Sequence, residues 1–204
     1  MKQKMGYYIT FSGVDGAGKS TQTQLLSEIL DKKGFPCCVQ DQYHRTFHAL
    51  TQTHLGSQID IRDAYKPETA EVLMICDEIL HFNANILPLL QQGITVISAR
   101  SISDRYLKAK LYKASNAEDI KLISGFLPNP DLHLYLKVDL EQCLRRIELR
   151  GTDSEDPEIM RRYIALADRH AETFGWTIID SNTTISQVSS QVESIVFSNL
   201  NWYK

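Results

Sequence analysis

Blocks of apolar residues along the chain follow two spacings, one typical of strands and the other of helices. Residues 7–12 form a short apolar and β-branched run that predicts a strand ending at Gly13. From Lys19 onward, apolar residues recur at helical spacing until Gly34, which predicts a helix and its end. A glycine-rich loop therefore connects the first strand to the first helix.

Four later runs predict the rest of a sheet. They lie at residues 36–40, 94–98, 132–138 and 176–179. Helical sequence separates the later runs from one another, and alternating strands and helices favour a parallel sheet that is covered on both faces. We therefore predict an α/β fold, with a single domain over residues 1–204.

The longest helical pattern begins near Glu68 and ends by Gly93, and we expect a disturbance near Pro88 because proline lacks an amide hydrogen. Residues 41–66 are irregular and polar, which fits a substrate loop or short helices. Apolar spacing at residues 185–196 predicts a closing helix on the sheet.

Two helices between the last two strands have clearly marked limits. The first is predicted to begin at Asp139, with Gln142 at the capping-box position, and to end at Gly151. The second is predicted to begin at Asp156, with Pro157 in the first helical position.

Composition limits the class of ligand. The net charge of -3 gives no general attraction to nucleic acid or to an anionic membrane, so an anionic ligand must be bound by a local cluster of cations. The four cysteines form no C-x-x-C pair, and no apolar run approaches the roughly 20 residues that cross a bilayer. We expect a cytoplasmic protein with reduced thiols and with neither nucleic-acid nor membrane partners.

The loop after the first strand carries the strongest chemical signal. Its pattern, G-x-x-x-x-G-K-[ST] between a strand and a helix, is typical of a phosphate-binding loop. The glycines allow successive amide groups to face phosphate oxygens, Lys19 can contact the β and γ phosphates, and Ser20 can bind Mg²⁺. We therefore predict ATP and Mg²⁺ as cofactors. The loop residues are Gly13, Val14, Asp15, Gly16, Ala17, Gly18, Lys19, Ser20 and Thr21.

Asp15 is an unusual member of this loop. A carboxylate beside a triphosphate costs electrostatic energy unless a metal ion or a substrate hydroxyl meets it. We interpret Asp15 as facing the acceptor or Mg²⁺, and the alternative is that its side chain only shapes the turn.

Residues 11–22 resemble the phosphate loop of thymidylate kinases, F-E-G-x-D-G-x-G-K-S-T-Q. As architecture, the resemblance continues through the long helix, the strand at 96–98, and the residues at 179–181. It implies a P-loop NTPase fold of the nucleoside and nucleotide kinase type, with a helical lid at residues 145–160, and a homodimer. The catalytic residues would be Lys19, Asp15, Arg100, Arg146 and Arg150; the last two lie four apart, on one face of the lid helix.

The departures from that family concern the acceptor. Met74 and Glu78 stand where the family has a phenylalanine that stacks on thymine and an arginine that donates to it. A carboxylate cannot donate to a carbonyl unless it is protonated. Arg45 alone remains to replace the arginine of the family's R-E-P-G segment, and Ala99 replaces the acid before Arg100. We therefore expect that plain dTMP is a poor acceptor.

A second resemblance concerns deoxynucleoside kinases. Residues 99–106 are similar to their E-R-S-x-x-S-D-R-Y segment, with one residue deleted and alanine for glutamate, and residues 143–151 are similar to their lid helix. This resemblance implies that Arg100 holds the acceptor end of the substrate and that Asp104 reads its base.

The two resemblances leave the acceptor open. A nucleoside needs a general base for its hydroxyl group, and Asp41 is the local candidate after the second strand. A monophosphate needs cations instead, which Arg45, Arg100 and Arg105 can supply. We favour a nucleoside monophosphate or a related nucleotide as the acceptor.

Other classes of function remain as alternatives. Within enzymes they are a deoxynucleoside kinase and a specialised kinase for a small molecule. Outside enzymes, the loss of an acid at Ala99 fits a nucleotide-binding switch. The retained Lys19, Ser20 and Arg100 argue against an inactive protein.

Overall fold

The computed structural model describes residues 5–40, 46–55, 59–151 and 156–202. Its strands are β1 (Tyr8–Ser12), β2 (Cys37–Val39), β3 (Thr95–Ser98), β4 (Leu132–Lys137) and β5 (Thr177–Asp180). They form one sheet in the order β2-β3-β1-β4-β5, and every neighbouring pair is parallel. The predicted α/β fold with a parallel sheet is confirmed.

Helices connect the strands. In the described ranges they are α1 (Lys19–Lys32), α2 (Thr46–Leu55), α3 (Ile61–Ala64), α4 (Pro67–His81), α5 (Leu87–Gln91), α6 (Ser103–Leu111), α7 (Ala117–Ser124), α8 (Leu140–Arg150), α9 (Pro157–Ala171) and α10 (Ile185–Asn199). A π-helical turn, Phe82–Ile86, joins α4 to α5 and ends two residues before Pro88. The predicted disturbance of the long helix is therefore confirmed.

The sheet forms the centre of the apolar core. Every residue of β1 and β3 is buried, because helices cover both faces of these strands. This burial explains why β1 reads as a continuous apolar run rather than an alternating one. Ile9, Phe11, Ile97 and Leu134 are fully buried at its middle.

The helical stretch Pro67–Gln91 is long and apolar enough to cross a membrane by length and composition, as judged among the described residues. Core helices of water-soluble proteins pass the same test. Here the stretch carries the buried acids Glu71 and Glu78, both paired with Arg105 of α6. These contacts are those of a helix that packs against the rest of the protein.

The expected capping box at the start of α8 is wrong. Asp139 is the N-cap residue, but its side chain accepts no capping hydrogen bond, and its own amide group donates to Asn182 Oδ1 at 2.9 Å. The amide that Gln142 would have bonded is therefore occupied. A complete capping box occurs instead at α10, between Thr184 and Gln187.

The register of the sheet brings several strand ends to one edge. Thr10 of β1 pairs with Ser98, the last residue of β3, and Ser12 pairs with Tyr135 near the end of β4. In open α/β sheets, ligands bind at the carboxyl edge of the strands. The glycine loop after β1 and the segment after β3 meet at this edge.

Candidate active site

The glycine loop is shaped by backbone conformations that other residues rarely adopt. Gly18 has φ +99 and is the N-cap of α1, so the first amide groups of this helix lie open toward the loop. Gly16 has φ +85, and a Cβ atom there would lie 2.9 Å from the carbonyl oxygen of Cys143 in α8. The loop is therefore fitted closely between α1 and α8.

Lys19 lies inside this loop. Its Nζ atom donates to the carbonyl oxygens of Gly13 at 2.7 Å and Val14 at 3.1 Å, and to Asp15 Oδ1 at 3.3 Å. Burial lowers the pKa of its ammonium group, and the Asp15 carboxylate opposes part of this shift. The loop thus holds a charged group where phosphate oxygens would bind.

The Asp15 carboxylate faces two cations. Besides Lys19, the Nη2 atom of Arg100 lies 3.9 Å from Asp15 Oδ1. Burial alone would raise the pKa of this carboxyl, but Lys19, Arg100 and Lys108 outweigh burial and lower it to about 2. Asp15 is therefore ionised at every pH at which the protein would work.

The loop borders a cavity of about 240 Å³ that fits a chain of phosphates. Lysine, arginine, glycine amides and hydroxyl groups converge there. The lining residues are Asp15, Gly16, Gly18, Lys19, Ser20, Thr21, Ala99, Arg100 and Arg150. Ser20 is exposed at the first position after Lys19, so its hydroxyl oxygen, together with phosphate oxygens, suits the oxygen coordination that Mg²⁺ prefers.

A second cavity, of about 270 Å³, continues from the first and is more apolar. It contains the exposed side chains Leu149 and Ile185, which offer apolar surface to a flat ring. Its lining residues are Gly16, Ala17, Gly18, Thr21, Gln22, Arg146, Leu149, Arg150, Ser181, Thr183, Ile185 and Val188. We call the first cavity the phosphate cavity and the second the apolar cavity. The residues that line both are Gly16, Gly18, Thr21 and Arg150.

The two arginines of α8 have different positions. Arg146 donates to the carbonyl oxygens of Gly16 at 3.2 Å and Ser181 at 2.7 Å, which fixes its guanidinium group at the wall of the apolar cavity. Arg150 lines both the apolar cavity and the phosphate cavity. The structure therefore places Arg150, rather than Arg146, beside the phosphate cavity.

A third cavity, of about 250 Å³, lies on the other side of Asp15. Its lining residues are Gly13, Val14, Asp15, Lys19, Asp60, Arg62, Arg100, Asp104, Lys108, Leu111, Tyr112, Ile159, Met160 and Tyr163. It shares Asp15, Lys19 and Arg100 with the phosphate cavity. We call it the acceptor cavity, because a donor in the first two cavities would meet a second ligand there.

Asp104 belongs to a buried chain of polar groups beneath the acceptor cavity. Its Oδ1 atom accepts from Ser12 Oγ at 2.7 Å, and its Oδ2 atom accepts from the amide of Ser101 at 3.3 Å. His133 Nε2 lies 2.7 Å from Ser12 Oγ. Since the single hydroxyl proton of Ser12 is used on Asp104, His133 must donate to Ser12. The chain fixes Asp104 relative to the end of β1.

The comparisons with known proteins decide the family. The family model described as Thymidylate kinase matches residues 11–192, which include the glycine loop, Arg100 and α8. The chain belongs to the thymidylate kinase family. Curated thymidylate kinases are similar to this chain over most of its length. The protein is therefore a nucleotide-phosphorylating kinase of the nucleoside monophosphate kinase class.

Three relatives illustrate the similarity. A probable thymidylate kinase of Pyrococcus horikoshii is 29% identical over 94% of this chain and 96% of its own length. A probable thymidylate kinase of Methanobrevibacter smithii is 30% identical over 93% of both chains. A thymidylate kinase of Neorickettsia sennetsu is 34% identical over 63% of this chain and 64% of its own length.

In this family member, Arg105 is an internal group. Its Nη1 atom donates to Glu71 Oε2 and to Met74 Sδ, both at 3.3 Å, and its Nε atom lies 2.6 Å from Glu78 Oε1. The structure thus brings Met74, Glu78 and Arg105 together. The residues that line the acceptor cavity, however, do not include these three.

Asp41 and Arg45 lie outside the described residues. The described chain resumes at Thr46, whose amide group donates to Asp77 Oδ1 at 3.1 Å. The amide of Phe47 donates to the same carboxylate, so α4 anchors the first turn of α2.

Sequence reasoning missed several cavity residues. Arg62, Lys108 and Tyr163 line the acceptor cavity, and each comes from a different helix. Lys108 had one available signal, because it lies four residues after Asp104 and so shares its helix face. Arg62 lies in the stretch for which we predicted a substrate loop or short helices, and the structure shows the short helix α3 there.

Proposed function

We propose that the protein uses Mg-ATP to phosphorylate a nucleoside monophosphate, or a closely related nucleotide, other than plain dTMP. One observation carries the proposal: the phosphate cavity and the acceptor cavity meet at Asp15, Lys19 and Arg100. Two ligands bound in these cavities would approach each other at a site where a lysine and an arginine can neutralise negative charge.

In the proposed reaction, an oxygen of the acceptor phosphate bonds to the γ-phosphorus of ATP, and the bond between that phosphorus and the β–γ bridging oxygen breaks to release ADP. Lys19 and the amide groups at the start of α1 stabilise the charge on the donor phosphates. Arg100 orients the acceptor, and Arg150 lies at the phosphate chain. Mg²⁺, held at Ser20, would supply charge neutralisation of the β and γ phosphates.

The acceptor cavity supports an acceptor that is already ionised. A phosphate oxygen needs cations rather than a general base. Arg62 and Arg100 both line this cavity. Asp15 is held by Lys19 and Arg100, and Asp104 by Ser12 and Ser101, so these two carboxylates already have partners.

The identity of residue 78, a glutamate that lies behind the lining of the acceptor cavity, supports an acceptor other than dTMP. Burial raises the pKa of its carboxyl, which Arg105 opposes, and its Oε2 atom is buried without a hydrogen-bond partner among the described residues. In the resembled family this position carries an arginine that donates to thymine, and a carboxylate cannot donate. Arg105 is neutralised by Glu71 and Glu78, so it does not restore the missing donor.

Further expectations accompany this proposal. They are a single domain with a helical lid at residues 145–160, of which 152–155 lie outside the described residues, and a cytoplasmic enzyme without nucleic-acid partners. A homodimer fits the exposed apolar side chains Val72 and Leu80 on α4. Closure of the lid would exclude water from the transferring group.

The proposal is tested with dTMP, dUMP, dCMP, dAMP, dGMP and the matching nucleosides, using Mg-ATP and detection of products by mass. We expect a nucleoside diphosphate from at least one monophosphate and a lower kcat/KM for dTMP than for the best acceptor. Preference for dTMP over all others would show that Met74 and Glu78 do not exclude it. Products from nucleosides alone would establish the deoxynucleoside kinase alternative.

A further inference from the structure

Lys108 is a cation of the acceptor cavity that has no assigned role. It lies on α6, one turn after Asp104, and its side chain is half-buried at the cavity wall. In the part of the chain that the structure describes, it forms no hydrogen bond and no ion pair. Its neighbour Lys110 provides a contrast, because Lys110 points to solvent and lies 2.6 Å from Glu118 Oε1.

The charges around Lys108 come from every element that borders it. The cations are Lys19 of α1, Arg62 of α3, Arg100 after β3 and Arg105 of α6, and the acids are Asp15, Asp60, Asp104 and Glu78. The acids are committed elsewhere: Asp15 to Lys19, Asp60 to the amide of Arg62, Asp104 to Ser12 and Ser101, and Glu78 to Arg105.

This environment is unfavourable for an ammonium group. Burial lowers the pKa of Lys108 well below its ordinary value, and Arg105, Arg100 and Arg62 lower it further, while Asp104 compensates in part. An unpaired cation among three arginines would be stabilised by an anion that enters the cavity beside it.

We propose that Lys108 determines acceptor specificity, and that its ammonium group binds the phosphate of a nucleoside monophosphate in the cavity between Asp15 and Arg62. The inference rests on the proposed function. It adds a binding residue and a preference for the monophosphate over the matching nucleoside. A monophosphate brings a negative charge that can pair with Lys108, whereas the matching nucleoside does not. Lys108 therefore selects the phosphorylated acceptor.

The proposal has a second consequence, because a bound anion raises the pKa of a nearby ammonium group. Binding of the monophosphate should therefore take up a proton on Lys108, and its affinity should fall as the pH rises through the pKa of the free enzyme. At pH 8 the ligand contributes little to this uptake, since the second pKa of a phosphate monoester is about 6. The arginines stay charged throughout.

The experiment compares Lys108→Met, Lys108→Arg and the matched control Lys110→Met, each checked for folding by circular dichroism. The probes are the best monophosphate of the panel above and its own nucleoside. We expect Lys108→Met to raise KM for the monophosphate roughly ten- to hundredfold, as for the loss of a hydrogen bond to a charged group. The KM for ATP and the weak binding of the nucleoside should not change, and Lys110→Met should resemble the wild type.

Calorimetry of monophosphate binding at a series of pH values from 8 to 10, in two buffers of different ionisation enthalpy at each, measures the proton uptake. Wild type should take up protons, and Lys108→Arg should retain KM within about threefold while losing this uptake, since arginine keeps the charge and does not titrate. An uptake that persists in Lys108→Arg would belong to Lys19 and would overturn the assignment to Lys108.

The outcomes separate the inference from the function on which it rests. A wild type that phosphorylates monophosphates, together with Lys108→Met at an unchanged acceptor KM, overturns the role of Lys108 and leaves the function intact. A wild type that phosphorylates only nucleosides overturns both. Equal increases in KM for the monophosphate and for ATP would show a general disturbance of the site and would also contradict specificity.

Discussion

The ammonium nitrogen of Lys19 lies 3.3 Å from the Asp15 carboxylate, so the two charged side chains of the glycine loop face each other where the donor and acceptor cavities meet. Removing this lysine in Lys19→Ala should lower phosphoryl transfer by a factor of roughly one hundred to one thousand, the cost of one lost transition-state contact. The far-ultraviolet circular dichroism spectrum should not change, because glycines shape the loop.

The matched control for this variant is Lys32→Ala, at the exposed end of the same helix α1. It should retain wild-type activity. Activity of Lys19→Ala within about tenfold of wild type would contradict the assignment of the phosphate-binding loop.

Substitutions of Asp41 and Arg45 should have opposite effects for the two classes of acceptor. With a monophosphate acceptor, Arg45→Ala should raise KM or lower kcat, and Asp41→Asn should be nearly silent, because an ionised phosphate needs positive charge and no base. Steady-state kinetics of both variants with the best acceptor make the comparison. A strong loss in Asp41→Asn beside a near-normal Arg45→Ala would favour a nucleoside acceptor instead.

His133 should make the stability of the protein depend on pH. Burial lowers the pKa of its imidazole from 6.5 to about 4, although Asp104 opposes the shift. The unfolded chain therefore binds this proton first, and stability that is complete above pH 6.5 is lost as the pH falls toward 4. A shift of this size corresponds to about 3 kcal/mol.

His133→Gln keeps a side-chain N–H group for Ser12 but does not titrate. Between pH 7 and pH 4, its free energy of unfolding should fall by about 3 kcal/mol less than that of the wild type, as measured by urea unfolding at both pH values. The same substitution at the exposed His54 is the control. Equal pH dependence in wild type and His133→Gln would show that the histidine is not the group that titrates.

Leu80 should lie in the interface of the proposed homodimer. Its side chain on α4 is 48% exposed, and Val72 on the same helix is 37% exposed. Leu80→Glu should convert a dimer to a monomer, which light scattering after size-exclusion chromatography measures. Leu122→Glu, on the exposed surface of α7, should leave the mass unchanged. A wild type with the mass of one chain would refute the dimer.

Much of the fold follows from the sequence because the central strands β1 and β3 are buried at every position. The apolar run before Gly13 predicted a strand, and the motif that ends at Thr21 predicted the loop and the start of α1. Local rules also located Gly151, which has φ +64 at the end of α8, and Asp156, which caps α9.

The remaining features depend on groups that are distant in sequence. Arg146 is fixed by carbonyl oxygens of Gly16 and Ser181, which lie 130 and 35 residues away, so helical spacing could not distinguish it from Arg150. The pairing of Arg105 with Glu78 likewise needs α4 to pack on α6. Such pairings decide which cations line a cavity and which are neutralised behind its wall.

The π-helical turn at Phe82–Ile86 has an evolutionary consequence. A π turn holds one residue more than an α turn, so it takes up the extra residue locally and leaves the two flanking segments facing nearly as they would in a regular helix one residue shorter. Loss of one residue from the turn, such as Asn83, would restore a regular helix and could leave the packing of both ends intact. The turn is therefore a position where a homologue can gain or lose one residue while the acids of α4 remain opposite Arg105. Equivalent residues on the two sides of the turn cannot then be matched between homologues by counting along the chain.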